Sequence, residues 1–313
     1  MRHSPLDRGI HKFFLFLLPL LSVLSGLLIP ADCRAHGFAG KRFFPTTFQV
    51  DDPFISDEFS VLVNNSKPAG PSANSTEINI DYSKRIAPRF GLEFHDAYQH
   101  ITSASGDANG WENFDLGAKW QFLTRAEHEA IASFGTDVEI GGTGARQVSD
   151  SFSTVSPALF FGKGFPEFSH ALKYLRPLAI TGVIGPNFPT KRTNLTEAGV
   201  ERNPVTLTWA FTVQYSFIYL QSFVKYLGLP APLNHMVFVT EFPMQTNLSR
   251  DDKGLTTGTV NPGVVWFGKF MELGVAAEIP VNSSSGRGVG VLGLIHLFVD
   301  DLWPTGIGGP VFH

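Results

Sequence analysis

Charged side chains recur at alternate positions of several sequence segments, each opposite an apolar series, and these residues are the best placed to bind ions or polar solutes. They are Arg89, Glu93, His95, Asp115, Lys119, Asp137, Glu139, Glu272 and Glu278. Because successive side chains of a β-strand point to opposite faces, each charged series is expected to share one surface of a strand. Facing a common interior, they would either line water or neutralise one another.

Motifs for metal binding or catalysis have little support in this sequence. His36, followed by Gly37, could chelate copper if it were an amino terminus, but the sequence places no second histidine beside it. The adjacent acids Asp51 and Asp52 lack the spacing of a calcium-binding loop. A serine hydrolase would need a serine and a histidine within reach of each other and an orienting group, and no spacing singles out such a set. We therefore predict no metal, no cofactor and no enzyme activity.

The first 35 residues are typical of a cleaved secretory signal. Three basic residues within the first twelve precede the uncharged stretch Phe13 to Ile29, and Ala31 to Ala35 offers a small-residue exit. A membrane anchor is the alternative, but the 17 residues of this stretch lie at the short end of what spans a bilayer. Cleavage after Ala35 would remove Cys33, the only cysteine, so the exported chain would contain no thiol.

Composition narrows the class of protein further. The chain carries 29 Phe, 31 Gly and 17% charged residues, a smaller charged fraction than the roughly one quarter of typical domains. Its net charge is −4 and no basic run follows the signal, so we predict no nucleic-acid partner. No later apolar segment approaches 20 residues, and if the exported chain enters a membrane it must do so as strands rather than helices.

Alternation is strongest from Val205 to Phe217, where Trp209 and Phe211 share the apolar series and Thr208 belongs to the polar one. About twelve such segments occur, each of roughly the ten residues that a tilted strand needs to cross a bilayer. Polar connections alternate between long and short, except for the long Ile218 to Asn234. That alternation is typical of a barrel with one end outside the cell and the other in the periplasm.

These patterns predict an all-β protein, a transmembrane antiparallel β-barrel of about 12 strands after an N-terminal signal peptide. The expected divisions are a signal peptide (1–35), a periplasmic N-terminal segment (36–57), the barrel (58–299) and a C-terminal tail (300–313). A soluble β-sandwich or propeller also alternates, but about twelve amphipathic strands offer more apolar side chains than one soluble interior holds. In an outer membrane the apolar faces meet lipid and the polar faces line the lumen.

The chain also resembles a known family. The segments Trp111 to Phe122, Val155 to Phe165, Leu175 to Gly185 and Asn261 to Val281 are similar to the outer-membrane channel family named for a phenol meta-cleavage degradation pathway. The recurring piece is a Gly- and Asp-containing approach followed by a strand, as in residues 113–122. The resemblance implies an outer-membrane β-barrel that transports small or hydrophobic compounds, and it carries no catalytic signature.

The expected function is therefore a passive channel or transporter in the outer membrane, with lipid and a small-molecule solute as partners and the oligomeric state open. The excess of acidic over basic lumen residues favours cations or neutral solutes over anions. The alternative is a barrel that serves structure or adhesion without transport. An outer-membrane enzyme or a soluble exported β-protein has less support.

Overall fold

The computed structural model describes residues 37–69, 74–104, 106–196, 199–249 and 252–312 of the 313-residue chain. The predicted signal peptide and His36 lie outside these ranges. Within them, no helix is both long enough and apolar enough to cross a membrane.

Twelve antiparallel strands form one closed barrel. They are β1 (Glu58–Lys67), β2 (Asn74–Ala87), β3 (Phe90–Thr102), β4 (Asp115–Arg125), β5 (Ala130–Glu139), β6 (Thr154–Gly164), β7 (Leu178–Pro189), β8 (Thr206–Ser216), β9 (Met236–Asn247), β10 (Thr256–Phe267), β11 (Met271–Pro280) and β12 (Gly288–Phe298). Each strand pairs with the next along the chain, and β12 pairs with β1, with Leu294 opposite Leu62. Closure pairs the backbone groups that lipid could not satisfy.

Shorter elements lie in the connections. The short strands are Phe38–Ala39 paired with Arg42–Phe43, Ala108–Trp111 paired with β3, and Thr193–Thr196 paired with Gly199–Arg202. The helical turns are Ala126–His128, His170–Leu175, Phe217–Tyr219, Leu220–Val224, Leu233–His235 and Val299–Leu302.

Burial follows the predicted alternation of faces. In β8, Ala210, Thr212 and Gln214 are buried inside the barrel, whereas Val213 is exposed on the outside. Trp120 on β4 is 54% exposed, although it is among the largest apolar side chains of the protein. A band of outward apolar side chains of this kind suits contact with lipid.

The connections at the two ends differ in length, as the sequence predicts. The β2–β3 connection is the two-residue turn Pro88-Arg89, whereas the next one, between β3 and β4, spans residues 103–114. The β8–β9 connection, the predicted exception, holds the helical turns around Phe217–Tyr219. β1 begins and β12 ends at the end that carries the short turns.

Residues 37–57 lie inside the barrel, which differs from the expectation of a segment in the periplasm. We call this segment the plug. Its apolar side chains Phe44, Phe48, Val50 and Phe54 are buried in clusters with inward-facing residues of the wall. The plug takes this position because a twelve-stranded barrel is too wide for its own side chains to fill, and these apolar groups leave water by entering it.

The C-terminal tail returns to the short-turn end of β2. The backbone N–H groups of Val311 and Phe312 donate to the carbonyl oxygens of Arg85 and Ile86. The Lys84 ammonium donates to the Ile307 carbonyl at 2.8 Å, and it also binds the buried Asp57 carboxylate. The tail and the end of the plug are thus attached to the same strand end.

Candidate functional site

A cavity of about 1110 Å³ occupies the lumen between the plug and the barrel end that carries the long connections, which we call the upper end. Plug residues 46–52 contribute to its lining, and inward-facing side chains of the strands form the surrounding wall. The cavity and the backbone that borders it are the candidate functional site, because the cavity lies inside the closed barrel and is large enough to hold a small solute.

Two buried carboxylates of the wall hold the backbone of the plug. The Glu241 carboxylate accepts the N–H groups of Phe48 and Gln49 at 2.6 and 2.9 Å. The Glu272 carboxylate accepts the N–H of Thr46 at 2.9 Å. Each pairing satisfies plug N–H groups that would otherwise be buried without a partner.

Lys119 binds residues 51 and 52, in the later part of the plug, from the side of the barrel opposite Glu241 and Glu272. Its ammonium lies 2.7 Å from Glu93 Oε1 and 3.2 Å from Asp51 Oδ1, and donates to the Asp52 carbonyl at 2.9 Å. The Phe160 ring lies 4.5 Å below the same ammonium. Lys119 is only 2% exposed, and this set of acceptors compensates for burying its charge.

At the short-turn end, Arg42 anchors the entry of the plug. Its guanidinium is buried, lies 3.2 Å from Glu129 Oε2, donates to the carbonyls of Arg176 and Pro177, and stacks 3.9 Å from the Tyr219 ring. Burial lowers the pKa of Arg42, while the Glu129 carboxylate raises it. The wall therefore holds the plug at three places along the chain: Arg42, residues 46–49, and residues 51–52.

Strand register places a row of ionisable residues across four neighbouring strands. Asp81 of β2 lies opposite His95, His95 opposite Asp115, and Asp115 opposite Glu139 of β5. His95 Nδ1 lies 2.6 Å from Asp81 Oδ1. Residues directly opposite on one face have Cβ atoms about 4.5–5.5 Å apart, so this row concentrates acidic groups on one side of the cavity.

A second row lies one inward step nearer the plug. Glu93 lies opposite Gly117, and Gly117 lies opposite Asp137. A Cβ built at Gly117 would overlap Asp137 Oδ1 and would lie 3.3 Å from Glu93 Oε2. The missing side chain of Gly117 thus leaves room in which the two carboxylates approach each other.

Charge is distributed unevenly around the cavity. Its acidic lining residues are Asp51, Asp52, Glu58, Glu77, Asp81, Glu93, Asp115, Asp137, Glu139, Asp150 and Glu278. Its basic lining residues are Lys119, Arg202 and His95. Six of the acids lie on β2 to β5, whereas the lining residues of β7 to β10 carry hydroxyl, amide and apolar groups and no charge. We call the β2–β5 side the acidic wall and the β7–β10 side the neutral wall.

Seven of the nine residues selected from the sequence line the cavity: Glu93, His95, Asp115, Lys119, Asp137, Glu139 and Glu278. Glu272 also faces inward but lies below the cavity, where it is fully buried against the plug. Arg89 requires a correction: it is exposed in the Pro88-Arg89 turn, because β3 begins only at Phe90. The alternation that assigned Arg89 to the lumen does not extend beyond the strand end.

Other residues of the site escaped the sequence analysis. Glu77 and Asp81 alternate with Ile78 and Ile80 on β2, so their inward direction could have been inferred from period two. Asp51 belongs to the acidic pair that lacks the spacing of a calcium-binding loop, and in the structure its carboxylate binds Lys119. Nothing local in the sequence indicates that contact, because it depends on the position of the plug.

Comparison with known proteins supports the fold. No family model and no curated protein sequence matches the chain. An outer membrane channel from Pseudomonas putida F1 superposes with a TM-score of 0.51 at 12% identity, covering 81% of this chain and 99% of that one. KdgM porin gives a TM-score of 0.43 at 13% identity, with 76% and 98% covered, and NanC porin 0.46 at 7%, with 77% and 98% covered. At these identities the likeness concerns the fold alone: a closed twelve-stranded β-barrel of the outer-membrane type.

Proposed function

We propose that this protein is a passive channel of the bacterial outer membrane for small solutes. The observation that carries the proposal is the cavity of about 1110 Å³, lined by charged and polar groups, inside a closed barrel whose outer face is apolar. Barrels of about eight strands are filled by their own side chains. A polar cavity instead accommodates water and dissolved molecules.

The plug bears on how such a channel would conduct. Residues 37–57 narrow the lumen below the cavity, and we propose that the channel conducts weakly while the plug is seated. The same segment is the feature that favours a barrel without transport, which we keep as the second candidate. We propose no enzyme activity, and transport of hydrophobic compounds rests only on the sequence resemblance of segments such as Trp111 to Phe122.

Ion selectivity tests the proposal. We expect refolded protein in a planar bilayer to conduct and to show a reversal potential of cation-selective sign across a salt gradient, because fixed negative charge in a confined aqueous path concentrates cations. Exchanging Asp115 and Asp137 for Asn should move the reversal potential toward zero. Glu127→Gln, which removes one exposed acid in the β4–β5 turn, is the control for a change of charge outside the lumen and should leave it unchanged.

Two outcomes would contradict this expectation in different ways. Anion selectivity would show that the acidic wall does not border the conducting path. Absence of conductance, in protein shown to be folded by heat-modifiable migration on a gel, would favour the barrel without transport.

Export is a separate proposal, because the signal region lies outside the described residues. We expect cleavage near Ala35, since a basic start, an apolar stretch and a small-residue exit occur in that order. Amino-terminal sequencing of the protein from isolated outer membranes should begin at or close to His36. Recovery of the form that starts at Met1 would count against cleavage.

A further inference from the structure

Three carboxylates of the acidic wall take part in no hydrogen bond and no close ion pair among the described residues. Glu77, Asp115 and Asp137 line the cavity, and no hydrogen bond or ion pair joins any of them to the described part of the chain. Their neighbours differ: Asp81 binds His95, and Glu93 binds Lys119. Lys119 is already shared between Glu93 and the plug, and His95 is paired with Asp81, so the six carboxylates of the wall outnumber its two basic side chains.

Asn79 provides a second, independent indication of a missing partner. It lies on β2 between Glu77 and Asp81, lines the cavity and is 8% exposed. Within the described ranges its carboxamide has no hydrogen-bond partner. Its amide atoms are open to the cavity rather than sealed inside the wall, and polar groups at such a site are satisfied by water or by a ligand. Asn79 therefore marks a point at which a molecule in the cavity would accept or donate a hydrogen bond.

The spacing of these groups indicates the shape of the partner. Glu77 and Asn79 belong to β2, Asp115 to β4 and Asp137 to β5, and neighbouring strands lie about 4.8 Å apart. Along a strand, inward residues recur about every 6.8 Å. Negative charge is thus spread as separate points over the wall. A single compact metal ion would reach few of them, whereas a molecule with several ammonium groups joined by short methylene chains could reach them together.

We propose that the acidic wall binds an organic polyamine, with ammonium groups against Glu77, Asp115 and Asp137 and a hydrogen bond to the Asn79 carboxamide. Ammonium groups supply several donors each, and charge-assisted hydrogen bonds to carboxylates are about twice as strong as neutral ones. The hydroxyl and amide groups of the neutral wall, such as Thr208, lie on the other side of the cavity and add no competing charge. The proposal deepens the proposed function and rests on it for physiological meaning, since it names the class of solute that a channel would concentrate.

Binding of spermidine to the purified, folded full-length protein in detergent tests the proposal without requiring transport. Titration calorimetry should show saturable binding that weakens with rising salt. Combined exchange of Asp115→Asn and Asp137→Asn should weaken it by about tenfold or more, and Asn79→Ala should weaken it less. Glu127→Gln changes the net charge by the same amount as one of those substitutions, at an exposed turn, and should have no effect.

Measurements on the unsubstituted protein keep the test decisive if the variants fail to fold. At equal ionic strength, Mg²⁺ and the uncharged heptane-1,7-diol should each displace bound, labelled spermidine far less than the same concentration of unlabelled spermidine does. Equal competition by Mg²⁺ would overturn the proposal, because the wall would then be a diffuse counter-ion region. Spermidine binding without bilayer conductance would contradict only the channel function. Conductance without spermidine binding would contradict only the polyamine site.

Discussion

Lysine in place of Phe211 is expected to prevent stable assembly of the barrel, whereas lysine in place of Thr208 is expected to be tolerated. Phe211 lies near the middle of β8 on the outer face, stacked on Phe242 with ring centroids 4.6 Å apart. Phe211→Lys would remove this stack and place an ammonium in lipid, at a cost of about 2–4 kcal/mol near the bilayer midplane. Thr208 points into the cavity toward the acidic wall, where the ammonium of a lysine would be hydrated and close to carboxylates.

Heat-modifiable migration of protein extracted from outer membranes measures the difference. Phe211→Lys should lose the compact, fast-migrating form or shift its unfolding to lower temperature, and Thr208→Lys should keep it. Phe211→Leu is the control for loss of the aromatic stack alone, since it keeps an apolar group toward lipid. Equal tolerance of both lysines would show that the faces of β8 are assigned the wrong way round.

Arg42→Ala is expected to loosen the plug and to raise the single-channel conductance. Arg42 is 1% exposed and binds Glu129, two carbonyl oxygens and the Tyr219 ring. Removing it leaves the buried Glu129 carboxylate without its cation, and breaking a buried pair by removing one partner typically costs about 3–5 kcal/mol. Because the lost contacts join the plug to the barrel rather than strand to strand, the cost should fall on plug docking.

Lys41→Ala is the matched control, because it removes the same charge from the adjacent residue, whose side chain is exposed and lies over Phe223 at 5.4 Å. Conductance and protease cleavage within residues 37–57 should both rise for Arg42→Ala and stay unchanged for Lys41→Ala. A rise in protease sensitivity across the whole barrel would mean that Arg42 stabilises the fold in general. Unchanged conductance with a cleaved plug would show that the plug does not limit the path.

Much of the barrel could be predicted from the sequence because strand alternation is a local property. Trp209 and Phe211 alternate with Thr208 and Ala210 whatever lies beyond the strand, so the lipid and lumen faces of β8 follow from period two. The same reasoning placed Lys119, Asp115 and Asp137 inside. It failed at Arg89, where the strand ends and alternation no longer applies.

The tertiary structure decided what the lumen contains. The hydrogen bond from Thr46 to Glu272 joins residues 226 positions apart, and the contact of Lys119 with Asp51 spans 68 positions. Neither has a sequence signature, because a plug segment is recognised only by the walls that surround it. The sequence by itself therefore determined the strands and the direction of their side chains. Closure of the barrel and entry of the plug decided which inward groups are paired and which remain facing the cavity, since pairing depends on distances between residues far apart in the chain.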